Sequence, residues 1–136
     1  MGTAGYSGTP LPKKLGIKED HAVAFPAAPD DFPETLGGLP DGVVVKRIAR
    51  GPLDVAVLFV HRRAELDRRI AALGRAVFPD GGLWIAWPKR ASGVPTDMTE
   101  DVVRELGLPL GMVDNKVCAI DETWSGLRLV WRRENR

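Results

Sequence analysis

Residues that can bind or polarise a ligand follow two apolar segments of this sequence. His61 comes directly after residues 53–60, and residues 83–87 lead into a polar loop. The carboxyl ends of neighbouring parallel strands meet at one edge of a sheet, and ligands of open α/β sheets bind there. An imidazole and two cationic side chains at such an edge suit an anionic ligand. We therefore predict a candidate ligand-binding set at this edge: His61, Lys89, Arg90, Ser92 and Thr96.

The loop that carries four of these residues has two readings. Gly93 allows a close backbone approach, and a phosphate or carboxylate would then lie ahead of a helix N-terminus. However, the spacing of a Walker motif is absent. The other reading is a surface loop with solvated cations and a threonine or aspartate that caps a helix, with His61 preceding a helix in the same way.

Other kinds of catalytic site find little support. The sequence has one cysteine, Cys118, and two histidines, so a thiolate-rich metal site is excluded. No G-x-S-x-G nucleophile elbow occurs. We assign no catalytic residue, no metal and no cofactor from the sequence, and the interpretation leans away from an enzyme.

A second set of residues is predicted to form a partner surface. It combines a glycine- and proline-rich N-terminal segment with a tryptophan expected in a hairpin connection, where an exposed ring is unusual. The alternatives are a frayed terminus and a tryptophan packed over the sheet edge. The residues are Tyr6, Ser7, Thr9, Lys13, Lys14, Trp124 and Ser125.

Length and charge narrow the possibilities further. The 136 residues carry a net charge of +1, so the overall charge favours neither nucleic acid nor a membrane surface. No apolar segment is long enough to span a membrane, and the single cysteine suits a reducing compartment, so we expect a cytoplasmic protein. A nucleic-acid surface is possible only if the scattered basic residues converge on one face: Lys13, Lys14, Lys46, Arg47, Arg50, Arg62, Arg63, Lys89, Arg90, Arg132, Arg133 and Arg136.

The apolar patterns predict the elements that position these residues. Residues 53–60, an amphipathic helix with Leu66, Ile70, Leu73 and Val77 on one stripe, and residues 83–87 form a βαβ unit. Further strands are expected at residues 21–25, 43–45, 116–120 and 127–131, the last two as an antiparallel hairpin because their connection is short. We predict an irregular arm over residues 1–20. Residues 21–136 should form one α/β domain, a three-layer Rossmann-like sandwich with a mostly parallel sheet and a C-terminal antiparallel hairpin.

This order of elements resembles a shortened class I methyltransferase over residues 22–132. The best local match joins Leu53-Asp54-Val55 to Leu83-Trp84-Ile85 through the turn Phe78-Pro79-Asp80-Gly81-Gly82, with one helix and one strand missing near Arg50. The resemblance implies a glycine-rich turn after the first strand and an acidic residue after the second. Here the turn is Phe25-Pro26-Ala27-Ala28-Pro29, and the second strand ends in Lys46-Arg47. Both departures point against S-adenosylmethionine and against a dinucleotide.

A second resemblance covers nearly the whole chain. Segments such as Arg50-Gly51-Pro52-Leu53-Asp54, Trp87-Pro88-Lys89-Arg90 and Glu122-Thr123-Trp124-Ser125-Gly126 are similar to a bacterial domain of unknown function found mainly in actinobacteria. It implies no activity. We therefore expect a non-catalytic binding or regulatory domain whose partner is a protein or a small anionic ligand. The alternatives are an enzyme or ligand binder for a small anion at the carboxyl edge, with His61 as acid or base, and a nucleic-acid-binding protein.

Overall fold

A six-stranded mixed sheet organises residues 8–136, which are the residues that the computed structural model describes. The strands are β1 (Ala22–Ala24), β2 (Val44–Val45), β3 (Val55–Phe59), β4 (Gly82–Pro88), β5 (Met112–Ala119) and β6 (Trp124–Trp131). Their order in the sheet is β2-β1-β3-β4-β6-β5. The first four are parallel to one another, and β6 is antiparallel to both of its neighbours. This confirms the predicted α/β class and the closing hairpin.

Helices cover both faces of the sheet. Two of them, α3 (Arg63–Val77) and α4 (Glu100–Gly107), belong to the cluster of buried residues on one face. On the other face the cluster includes residues of α1 (Leu11–Lys14) and α2 (Phe32–Leu36). The result is the three-layer sandwich that the sequence predicts.

The βαβ unit at the centre follows directly from its apolar residues. Every residue of β3 and of β4 is buried, as expected for strands covered on both faces. The predicted stripe on α3 is buried against them, with Leu66, Ile70, Leu73 and Val77 each at most 3% exposed. This packing fixes the carboxyl ends of β3 and β4 side by side.

Two parts of the chain differ from the sequence prediction. The described part of the N-terminal arm is packed, because Leu11, Leu15 and Ile17 are buried and the Leu15 carbonyl accepts a 3.0 Å hydrogen bond from the Trp84 indole. Strand β6 begins at Trp124, so the hairpin connection is residues 120–123 and is shorter than predicted. Within residues 8–136, no helix combines the length and the apolar character that crossing a membrane requires.

Candidate functional site

A cavity of about 650 Å³ lies at the carboxyl end of β4. Its walls are the end of that strand, the start of β6 and the loop that runs from β4 to α4. Three of the predicted ligand-binding residues line it, namely Lys89, Arg90 and Thr96, together with Ser125 from the predicted partner surface. We call it the rim cavity.

The charged side chains around the rim cavity differ in whether they have a partner within the protein. Asp97 and Glu100 also line it, but the Asp97 carboxylate accepts the backbone N–H of Arg63 at 2.7 Å, and Glu100 pairs with Arg104 at 2.8 Å. Lys89 is half-buried and Arg90 is exposed, and within the described chain neither forms an ion pair. Lys89 and Arg90 are therefore the cationic side chains at the cavity that no carboxylate of the described chain pairs with.

Ser92 and Thr96 hold the loop in place. The Ser92 hydroxyl donates to the Lys89 carbonyl at 2.7 Å, next to a short 3₁₀ turn at Arg90–Ser92. The Thr96 hydroxyl donates to the His61 carbonyl at 2.6 Å and accepts from the Met98 N–H at 3.0 Å. Their side chains act on the backbone, which agrees with the alternative reading of a capped surface loop for these two residues.

His61 lies at the same edge of the sheet but does not line the rim cavity. Its ring packs edge-on against Trp124, with centroids 5.2 Å apart. It lines a separate cavity of about 350 Å³ beside Arg68 and Arg69 of α3. The predicted grouping of His61 with Lys89 and Arg90 is therefore corrected, because the imidazole is turned toward the tryptophan.

The N-terminus of α3 explains the chemistry around His61. Glu65 accepts the backbone N–H of His61 at 2.7 Å and that of Arg62 at 3.1 Å. These bonds, the His61 amide first, lower the pKa of the Glu65 carboxyl below its ordinary value of 4.5. Glu65 is thus a charged cap of the helix and is not available as a proton donor.

The turn after β1 is where the fold would be expected to hold an adenosyl cofactor. Pro26 and Pro29 have no N–H, and the Ala28 N–H donates to the Phe25 carbonyl at 3.2 Å. Ala27 has a φ of 61°, a left-handed conformation that normally favours glycine. The turn therefore has few free amide donors for a carboxylate or a ribose.

Aromatic side chains fill the space beside this turn. Phe25, Phe32, Phe59 and Trp124 form a continuous series of edge-to-face contacts with centroid distances of 5.1, 4.9 and 5.0 Å, which we call the aromatic row. At the end of β2, Lys46 donates to the Pro52 carbonyl at 3.2 Å where an acidic residue would be needed. The residues present do not fit S-adenosylmethionine bound at this turn.

The residues of the predicted partner surface differ in their exposure. Tyr6 and Ser7 lie outside the described residues. Trp124 is 9% exposed and packs on Phe59, so its ring is part of the core. Lys13 is exposed, Lys14 donates to the Ala119 carbonyl at 3.0 Å, and Thr9 is half-buried. Of the two alternatives that the sequence left open for Trp124, the structure shows the packed ring.

The turn that directs Trp124 inward depends on Asp121, which the sequence analysis did not single out. Its carboxylate accepts the N–H groups of Thr123 and Trp124, each at 2.8 Å. An aspartate two and three residues before the amides that it binds is a recognisable Asx-turn pattern, so the sequence carried this signal.

The basic residues do not share one surface. Arg63 on α3 pairs with Glu105, Lys46 is tied to a loop carbonyl beside β2, and Lys14 lies on α1 across the sheet. The Arg128 guanidinium on β6 has a lowered pKa because of its burial. A continuous nucleic-acid-binding face is not favoured. Among the described residues, no cluster of three or more His, Cys, Asp or Glu is placed to hold a metal ion.

Comparison with solved structures identifies the scaffold. A SAM-dependent methyltransferase from Aquifex aeolicus matches with a TM-score of 0.55 and 14% identity, over 86% of this chain and 85% of that chain. Precorrin-6y C5,15-methyltransferase from Geobacter metallireducens GS-15 matches with a TM-score of 0.55 and 10% identity, over 90% of this chain and 85% of that chain. Magnesium protoporphyrin IX methyltransferase from Synechocystis PCC 6803 with bound SAM matches with a TM-score of 0.55 and 9% identity, over 90% of this chain and 74% of that chain.

Coverage of other methyltransferases is smaller. The chain spans 55% of another structure of the Synechocystis enzyme and 41% of the O-methyltransferase of neocarzinostatin biosynthesis. No family model matches the sequence, so its resemblance to the actinobacterial domain stays a prediction. No curated protein matches it either.

These comparisons correct one expectation. The sequence interpretation leaned away from an enzyme, whereas these solved structures that match in fold are methyltransferases, so that leaning is not supported. At identities of 9–14% the likeness is one of fold. The chain has a class I methyltransferase-like, Rossmann-like α/β fold.

Proposed function

We propose that this protein binds a small anionic molecule in the rim cavity of a methyltransferase-like scaffold, with Lys89 and Arg90 as the binding residues. The observation that carries the proposal is a pair of cationic side chains at this cavity without an ion-pair partner. Lys89 and Arg90 form no ion pair within residues 8–136, whereas Glu100 pairs with Arg104. A planar guanidinium and an ammonium together suit a phosphate or carboxylate group.

The position of the cavity supports the same proposal. It lies at the carboxyl end of a parallel strand, where ligands of open α/β sheets bind. Its volume falls within the range of about 300–1,000 Å³ typical of small-molecule sites. We propose a cytoplasmic location, for which the single half-buried cysteine is the support.

Methyl transfer is the second candidate function, because methyltransferases share this fold. The proline-containing turn and the aromatic row do not fit the cofactor at the turn after β1. S-adenosylmethionine is therefore a separate probe in the experiment, and we derive no reaction step through it.

Thermal unfolding with a panel of ligands tests the proposal. The panel contains inorganic phosphate, nucleoside mono- and diphosphates, small carboxylates and S-adenosylmethionine. An anion present at 100 times its dissociation constant should add about 2.7 kcal/mol, a rise in Tm of roughly 10 °C for a domain of this size. The double variant K89A/R90A should abolish the shift.

A matched control comes from the smaller cavity. The double variant R68A/R69A removes the same charge on α3, and its anion-induced shift should equal that of the native protein. An anion shift lost in R68A/R69A and kept in K89A/R90A would contradict the assignment. A shift with S-adenosylmethionine that survives K89A/R90A would favour methyl transfer instead.

A further inference from the structure

The outer edge of β2 pairs with no other strand of residues 8–136, and its apolar side chains are exposed. Val44 and Val45 are 56% and 48% exposed, and Ile48 just beyond the strand is 70% exposed. The sheet ends at β2, near the point where the sequence lacks a strand of the methyltransferase pattern. An exposed apolar edge of this kind is a template for pairing with another strand.

Backbone groups at this edge point outward. The Val44 N–H donates to the His21 carbonyl at 2.9 Å, and the Lys46 N–H donates to the Val23 carbonyl at 2.8 Å, so both point toward β1. Because backbone groups alternate along a strand, the N–H and C=O of Val45 face away from the sheet. They can form a pair of hydrogen bonds with an incoming strand.

Charge is divided between the two ends of β2. The acidic end holds Glu19, Asp20 and Asp41, where the Asp20 N–H donates to the Asp41 carbonyl at 3.0 Å. The basic end holds Lys46, Arg47 and Arg50. Arg47 and Arg50 have no ion-pair partner in the described part of the chain. An antiparallel copy of the same edge would place each acidic end against a basic end.

We propose that two copies of this protein associate through β2, in an antiparallel pair centred on Val45. Two-fold symmetry makes such an interface self-complementary. Asp41 lies in the turn before β2 and Arg47 in the bend after it, so in the antiparallel pair the Asp41 end of one copy faces the Arg47 end of the other. The interface is small, so the dimer is weak and forms in a concentration-dependent way.

The other edge of the sheet is less suited to pairing. Strand β5 has a register shift between Asp114 and Lys116, and Asn115 and Lys116 are exposed on it. Bulges and edge lysines are devices that prevent strands from pairing with other molecules. Strand β2 has neither a bulge nor a charge, and its length of two residues restricts the pairing to a weak association.

Sedimentation equilibrium of the full chain, at protein concentrations up to about 1 mM, tests the proposal, since that reaches dissociation constants equivalent to about −4 kcal/mol. The native protein should show a monomer–dimer equilibrium. D41K and R47E alone should each raise the dissociation constant about tenfold, because each turns two symmetric attractions into repulsions. An equimolar mixture of D41K and R47E should recover native affinity as a heterodimer.

Recovery in the mixture is decisive because a change within one molecule cannot produce it. V45P, which removes the outward N–H donor, should also weaken association. K116E is the matched control on the opposite edge of the sheet, and its dissociation constant should equal that of the native protein. Circular dichroism checks that each variant is folded. A native protein that is monomeric throughout, a mixture no tighter than its components, or a dimer weakened by K116E alone would overturn the proposal.

Discussion

Replacement of Trp124 by alanine tests whether the hairpin folds its tryptophan into the core. The ring is 9% exposed and has edge-to-face contacts with Phe59 at 5.0 Å and His61 at 5.2 Å. Truncation of a buried tryptophan costs about 3–5 kcal/mol, and each aromatic pair accounts for about 0.5–1.5 kcal/mol beyond burial. We therefore expect W124A to lose about 4 kcal/mol of unfolding free energy.

Urea denaturation followed by circular dichroism measures this loss. A domain of this size has an unfolding free energy of about 5–15 kcal/mol in total. The unfolding of W124A should therefore still be measurable, at a much lower urea midpoint. W124L keeps part of the apolar volume and should lose less, which preserves the test if W124A does not fold. V117A is the control, because Val117 is 59% exposed and its truncation should change stability by about 0.5 kcal/mol or less.

The contact with His61 allows a sharper test of the same reasoning. H61A should cost about 0.5–1 kcal/mol in the native background and close to nothing in W124A, since the pair is then already lost. A loss below about 1 kcal/mol for W124A would show that the ring is presented to solvent, and the packing argument would fail.

Three further substitutions have defined outcomes. E65Q keeps an acceptor oxygen but loses the charge at the helix N-terminus, so it should cost about 0.3–1 kcal/mol at pH 7. The pKa of Glu65 is lowered in the folded protein, so the stabilisation from its charge is present above the unfolded pKa and is lost as pH falls through the folded pKa. A stability deficit that stayed constant down to low pH in urea titrations would refute the charged cap. G81A should cost about 2–3 kcal/mol, because its methyl would lie 2.6 Å from a backbone carbonyl oxygen, whereas G38A, with open space around it, should be near neutral in the same measurement. D121A should lose about 1–2 kcal/mol from two amides, and equal stability of the variant in calorimetry would contradict the Asx turn.

Local pattern was sufficient to predict the centre of the fold. The stripe of Leu66, Ile70, Leu73 and Val77 determines which face of α3 is buried, and the two apolar segments on either side can only be covered strands. The short connection between β5 and β6 requires an antiparallel pair whatever the rest of the chain does. These features depend on neighbours in sequence, which is why sequence alone predicted them.

The residues that cap each helix were harder to predict, because a side chain can bind the N-terminal amides of a helix that is distant in the sequence. Asp97 with Glu100 has the spacing of a capped start, but Thr99 caps α4 by accepting the Val102 N–H at 3.2 Å. The Asp97 carboxylate instead binds the Arg63 N–H at the start of α3, 34 residues earlier in the chain. Only the tertiary structure brings that amide within reach.

Prediction of the candidate site from the sequence met the same limit. Strands β3 and β4 are neighbours, so the sequence correctly placed His61 and Lys89 at one edge of the sheet. Adjacency of strands does not determine the direction of a side chain. The Asp121 turn positions Trp124 at the end of β4, and His61 packs against that ring and lines the smaller cavity instead of the rim cavity.

The aromatic row, which includes Trp124, bears on whether S-adenosylmethionine can bind at the turn after β1. Its members come from four separate segments, and their contacts could not be derived from spacing. The sequence indicated that the turn after β1 lacks glycine and that no acidic residue follows the second strand, which are arguments about hydrogen bonds to the cofactor. Packing adds an independent one, because Phe32, Phe59 and Trp124 beside this turn are buried in the core, and truncation of a buried aromatic ring costs about 3–5 kcal/mol. A shared methyltransferase fold is therefore compatible with a different binding position, and the rim cavity is the place to look for it.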